Sequence, residues 1–128
     1  MILDTSFIID VLRGSQNAVK KLEKLANTNI AVTTPSIVEL FSGLAQCSNT
    51  QKELEKIKDI LGEQVCLPLD AGSAVQAGLV HGFLIRDSQE IGEVDAMIAG
   101  IALQNQIPVL TRNVKHFSRV RGLKVETY

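Results

Sequence analysis

Four polar residues of this 128-residue chain stand where an α/β protein could place chemistry. Asp4 directly follows a short apolar run, and Glu39 lies one turn into a predicted helix. Asp95 begins an apolar helical stripe, and Asn113 follows another apolar run. Ligands of parallel sheets bind beyond the carboxyl ends of the strands, so we expect these four side chains to converge there.

An oxygen-only set of this kind predicts a site for a hard divalent cation. Three carboxylates at close range repel one another unless a cation bridges them, and oxygen ligands favour Mg²⁺ or Mn²⁺. Such a cation can activate water for attack on a phosphodiester and neutralise charge on the attacking and leaving oxygens. Phosphodiester hydrolysis is therefore the chemistry that these residues indicate.

Each of these residues also has a structural interpretation. Asp4 could cap the helix that follows it, and Glu39 could complete a capping box that starts at Ser36. Asp95 could be a favourable charge at a helix N-terminus, and Asn113 could belong to a turn or cap. For each residue taken alone, the structural interpretation is as good as the functional one. The convergence of all four residues at one edge of the sheet favours the metal site.

The elements that must position these residues are strands alternating with helices. Short apolar runs rich in branched residues predict strands at 2–3, 30–33, 65–67, 108–111 and 123–125. Several of these runs are continuously apolar, as in strands buried on both faces. Between the runs, apolar residues recur at the spacing of an α-helix. We therefore expect an α/β fold with a central parallel sheet, formed by residues 1–128 as a single domain.

Charge is distributed unevenly along the chain. The formal net charge is −1 and 45% of the residues are apolar, which excludes disorder and an overall basic shell for nucleic acid. Residues 112–128, however, hold five basic side chains against one acidic. Arg112, Lys115 and Arg119 are the candidate contacts to a phosphate backbone. Four Phe and one Tyr are few for base stacking, so base-specific recognition is not indicated.

Several other residues are expected to have no role in the chemistry. Cys47 and Cys66 lack zinc or disulfide spacing, so we expect small buried thiols in a cytoplasmic protein. No signal peptide is recognisable, and no apolar run approaches the ~18 residues of a membrane span. Asp10 is expected to face solvent or Arg13.

Four short motifs follow one another at these strand ends and helix starts: Asp4-Thr5-Ser6, Pro35-Ser36-Ile37-Val38-Glu39-Leu40, Asp95-Ala96-Met97-Ile98-Ala99, and Thr111-Arg112-Asn113 continuing to Phe117. In order, spacing and position they resemble the PIN-domain ribonucleases, in particular the VapC-type toxins of toxin–antitoxin pairs. The resemblance covers essentially the whole chain. It implies a three-layer α/β/α domain and Mg²⁺- or Mn²⁺-dependent cleavage of RNA. It also implies an antitoxin protein that occupies the site, and a homodimer.

Position by position, the resemblance assigns metal binding to Asp4, Glu39 and Asp95, which match the three acids of the family. Asn113 falls where many relatives have a fourth acid and others asparagine. His116 stands where an acid is frequent, which removes a further negative charge from that edge.

The resemblance also implies supporting residues. Ser6 and Thr111 match polar positions that support the acids or contact a water on the metal. Glu93 has no firm counterpart and is either an auxiliary ligand or solvent-facing.

The leading hypothesis is a metal-dependent endoribonuclease, and two alternatives stay open. An aspartate-nucleophile phosphatase would use Asp4, but such enzymes carry a second aspartate where this chain has Ser6. A catalytically silent PIN-fold binding module would keep the fold alone, although idle like charges are a liability without a metal.

Overall fold

Five short strands form one parallel sheet at the centre of the protein. In the computed structural model, which describes residues 1–62 and 64–128, they are β1 (Ile2–Leu3), β2 (Ala31–Thr33), β3 (Val65–Leu67), β4 (Val109–Leu110) and β5 (Val125–Glu126). Their order across the sheet is β3-β2-β1-β4-β5, and every neighbouring pair is parallel. The predicted parallel sheet is confirmed.

Helices fill the connections between the strands. They are α1 (Thr5–Leu12), α2 (Gln16–Lys24), α3 (Thr34–Ala45), α4 (Thr50–Leu61), α5 (Ala71–Arg86), α6 (Glu93–Asn105) and α7 (Val114–Phe117). The predicted alternation of helices with strands is therefore confirmed.

Two apolar cores cover the two faces of the sheet. Adjacent strand residues point to opposite faces, so Ile2 of β1 packs with α5, α6 and α7, while Leu3 packs with α1 to α4. Val109 and Leu110 of β4 alternate in the same way. The three-layer α/β/α architecture is thereby confirmed.

The edge strand β3 differs from the expectation of strands buried on both faces. Val65 is 60% exposed, and Cys66 is exposed as well. The prediction of buried thiols is wrong for both cysteines, since Cys47, two residues after the end of α3, is also exposed. Strand position explains Cys66, because β3 has a neighbouring strand on one side only.

The chain order creates a crevice between β1 and β4. The chain runs outward from β1 to β2 and β3, then crosses through α5 and α6 to the other side of β1. Such a switch point leaves a crevice at the carboxyl ends of the two strands, which is the usual ligand position in open α/β sheets. In the part of the chain that the structure describes, no helix is long and apolar enough to cross a membrane.

Candidate active site

Asp4 lies at the centre of the crevice, directly after β1. Its side chain is buried, and its Oδ2 accepts hydrogen bonds from the hydroxyls of Ser6 (2.5 Å) and Thr111 (2.7 Å). Oδ2 also accepts from the backbone N–H of Ser6 at 3.3 Å, so Asp4 caps α1 as well. Within the described residues, Oδ1 accepts no hydrogen bond, which leaves that oxygen for a ligand.

The pKa of the Asp4 carboxyl is raised above its ordinary value. Burial is the main cause, the hydrogen bonds from Ser6 and Thr111 oppose it, and the charge of Asp95 adds to it. The fold therefore holds a carboxylate where ionisation is unfavourable without a cation.

Glu39 lies in the second turn of α3 and does not cap that helix. Thr33 is the cap, because its Oγ1 accepts from the backbone N–H of Ser36 at 3.2 Å. The capping box from Ser36 is thus ruled out as an explanation of Glu39. Partial burial raises the pKa of the Glu39 carboxyl, and the charges of Asp4 and Asp95 raise it further.

The hydroxyl of Thr5 is the orphaned polar group of this site. Thr5 is 5% exposed, and its Oγ1 is the one fully buried side-chain oxygen or nitrogen without a hydrogen-bond partner in residues 1–62 and 64–128. It lies close enough to Glu39 to lower the pKa of that carboxyl without forming a full hydrogen bond. Buried hydroxyls without partners are costly, so this one indicates a ligand between α1 and α3.

Asp95 lies in the first turn of α6 with its side chain 16% exposed. Ile98 and Ala99, on the same helical face, are fully buried, as the sequence predicts. The carboxylate Oδ2 lies 2.9 Å from Nδ1 of His116, which fixes one of its two oxygens. The sequence shows only that His116 stands where the family often has an acid, and it does not predict this contact.

Neighbouring carboxylate charges help to raise the pKa values of Asp4 and Glu39, yet the three carboxylates do not chelate as they stand. In the described part of the chain, no three His, Cys, Asp or Glu side chains form a group that could already enclose a metal ion. The donor set still fits a hard cation. All donors are oxygens, Oδ1 of Asp4 is unused, and a buried hydroxyl points to a missing ligand.

Asn113 and Glu93 occupy different surroundings. The backbone N–H of Asn113 donates to Oγ1 of Thr111 at 2.9 Å, and its side chain does not cap α7. Glu93 is exposed and lines a cleft of the α5–α6 seam with His81 and Met97. Asn113 thus belongs to the rim of the crevice, whereas Glu93 faces this separate cleft.

The basic residues at the rim are held differently from one another. Nη1 of Arg112 donates to Asp10 at 2.7 Å, and Nη1 of Arg119 donates to the backbone oxygen of Glu90 at 2.9 Å. Lys115 is exposed. Asp10 was expected to face solvent or Arg13; it binds Arg112 instead, a contact that spans 102 positions of sequence.

Comparison with known proteins identifies the class to which this fold and site belong. A model of the PIN domain family matches residues 1–123, so the chain belongs to that family. The tRNA(fMet)-specific endonuclease VapC of Shigella flexneri is 26% identical over 126 residues, covering 98% of this chain and 96% of that protein. Ribonuclease VapC1 of Methanocaldococcus jannaschii is 29% identical over 132 residues, covering 98% and 85%. The resemblance seen in the sequence is confirmed.

Solved structures share the same fold. VapBC2 from Rickettsia felis, bound to a DNA fragment from its promoter, superposes with a TM-score of 0.91 at 22% identity, covering 99% of this chain and 97% of that one. DNA-bound VapBC from Salmonella typhimurium gives 0.90 at 23% identity, covering 98% and 96%.

Proposed function

We propose that this protein is a metal-dependent endoribonuclease and the toxin of a toxin–antitoxin pair. The observation that carries the proposal is the meeting of Asp4, Glu39 and Asp95, from three separate elements, at one crevice of a parallel sheet. Two of these carboxyls have raised pKa values. Relatives named as ribonucleases over nearly the whole chain support the same activity.

Asp4, Glu39 and Asp95 would hold Mg²⁺ or Mn²⁺. When bound, such an ion neutralises charge on a phosphodiester and lowers the pKa of the attacking water. Ser6 and Thr111 orient Asp4 by occupying its Oδ2. Orientation of this kind matters because carboxylate ligands depend on their own hydrogen-bond partners for placement.

The substrate is proposed to be RNA, held through its phosphates at the basic rim. Arg112, Lys115 and Arg119 lie on or beside α7, which follows the crevice. Asn113 offers a neutral oxygen at the same rim. We also infer that the protein acts in the cytoplasm.

An antitoxin protein is the proposed partner, and a second copy of this chain completes a homodimer. A toxin–antitoxin complex from Klebsiella pneumoniae has the same fold, with a TM-score of 0.75. In this chain a groove between α1, α3 and α4 reaches Glu39 and is lined by Leu12, Leu44 and Ile57. The lining is mostly apolar but includes Arg13, Glu53 and Lys56, which suits an amphipathic segment that ends at the acids.

Removal of one acid tests the activity. We expect Asp95→Asn to lower the rate of RNA cleavage by about 100-fold or more, and EDTA to abolish wild-type cleavage that Mg²⁺ or Mn²⁺ restores. Asp87→Asn is the matched control, because Asp87 lies in the loop before α6 and pairs with exposed Arg86. Cleavage that persists in EDTA, or full activity of Asp95→Asn, would overturn the proposal.

The same preparation distinguishes the two alternatives. Tight binding of a partner protein without Mn²⁺ binding in calorimetry would favour the silent module. A trapped acyl-phosphate on Asp4 would favour the phosphatase.

A further inference from the structure

Arg112 is anchored at two points, although its side chain is 54% exposed. Its backbone N–H donates to Oγ of Ser6 at 3.1 Å, and that hydroxyl in turn donates to Asp4. Its guanidinium reaches Asp10 in the second half of α1 at 2.7 Å. Both ends of α1 therefore hold this one residue.

The Asp10 carboxylate is itself enclosed. Its side chain is 13% exposed, and its second oxygen accepts a hydrogen bond from the hydroxyl of Tyr128 at 2.8 Å. The Tyr128 ring packs edge-on against the buried ring of Phe7, with centroids 4.8 Å apart. Burial and the hydrogen bond to Asp10 raise the pKa of Tyr128, so its hydroxyl stays protonated and donates.

We propose that Asp10 and Tyr128 are positioning residues that aim Arg112 at an RNA phosphate beside the acidic crevice. Asp10, Arg112 and Tyr128 are called the clasp below. This inference rests on the proposed ribonuclease function, since it concerns how the same site holds its substrate.

The clasp has the properties that positioning requires. Asp10 uses one guanidinium nitrogen of Arg112, and the side chain remains 54% exposed, so further N–H donors can reach a phosphate. The Arg112 side chain is more than half exposed, so water screens much of its attraction to Asp10, and orientation explains the contact better than stability does. A side chain that is already ordered loses less entropy when it binds.

A double-mutant cycle on RNA binding tests the clasp. The probe is a fluorescein-labelled pool of short single-stranded RNA of random sequence, and its binding to the full chain is followed by anisotropy in EDTA, where no metal-dependent cleavage occurs. We expect Arg112→Ala to weaken binding roughly tenfold. The slope of log Kd against log salt concentration should fall by about the amount that one phosphate contact contributes. We expect Tyr128→Phe, which keeps the ring on Phe7, to weaken binding roughly threefold.

The decisive measurement is Tyr128→Phe in the Arg112→Ala background. If the clasp acts through Arg112, removal of the hydroxyl has no further effect there. In Mn²⁺-dependent cleavage, Tyr128→Phe then raises KM and leaves kcat near the wild-type value. Arg121→Ala, at an exposed arginine of the same basic segment, is the control for loss of charge alone.

Each contrary outcome is distinct. Equal loss of binding from Tyr128→Phe in both backgrounds, or no loss in either while melting temperature falls, would make the clasp a purely structural contact. Wild-type affinity of Arg112→Ala would exclude the phosphate contact. Wild-type protein that neither binds nor cleaves RNA would instead overturn the proposed function.

Discussion

At the level of single residues, Asp4 and Glu39 are carboxylates held where ionisation is unfavourable. Their pKa values lie above the ordinary values of 3.8 and 4.5. A raised pKa in the folded protein means that ionisation costs stability. The protonated carboxyls therefore stabilise the folded protein. This contribution to the free energy of unfolding is complete at pH values below those ordinary pKa values and is lost as the pH rises through the folded-state pKa.

Glu39→Gln should consequently stabilise the metal-free protein at neutral pH. Protein covers part of the Glu39 carboxyl, but the residue is largely open to water that screens its charge, so we expect the melting temperature in EDTA to rise by only roughly 1–2 °C. The difference should vanish below pH 4.5, where the wild-type carboxyl is protonated. Saturating Mn²⁺ should stabilise the wild type more than the variant. The control variant Glu23→Gln, at an exposed acid of α2, should have the melting temperature of the wild type. A lower melting temperature for Glu39→Gln than for the wild type in EDTA would contradict this account.

At the level of elements, the α5–α6 seam sets where Asp95 enters the site. Gly100 of α6 lies so close to α5 that an added Cβ would come within 2.6 Å of both the backbone nitrogen of Ala77 and the backbone oxygen of Ser73. Backbone atoms cannot give way as a flexible side chain can. The missing side chain is thus what allows this close packing.

Gly100→Ala should destabilise the protein by about 1–3 kcal/mol through overpacking. Gly43→Ala in α3 is the matched control, because a Cβ there meets nothing within 4 Å. The control should gain up to about 1 kcal/mol from helix propensity. Urea unfolding of the two variants measures both effects, and equal stability would show that the seam can relax.

At the level of the whole molecule, α5 carries an exposed apolar stripe. Val75, Leu79 and Phe83 are 62%, 51% and 50% exposed at four-residue spacing. Gly78 and Gly82 beside them have open space around their Cα atoms, which would admit a second backbone. We assign this stripe to the homodimer proposed above, since a second copy could cover it with the same stripe.

We likewise propose that residues 1–128 form one domain, because all five strands join one sheet.

Light scattering should give a mass of about twice 13.9 kDa for the wild type. The double variant Leu79→Glu with Phe83→Glu should shift this mass toward the monomer. Ile85→Glu places a charge at another exposed apolar residue of α5, outside the stripe, and should leave the mass unchanged. A wild-type mass of a single chain would contradict the dimer.

The sequence by itself determined the alternation of strands and helices, the parallel sheet, and the positions of the acids after strands and at helix starts. These features depend on local periodicity and on the geometry shared by parallel sheets. The tertiary structure alone decided which residues meet across the chain: His116 with Asp95, Tyr128 with Asp10, and Arg119 with the loop before α6. Those pairs depend on β4 lying beside β1, and on the path of the chain after β5, which no local pattern encodes.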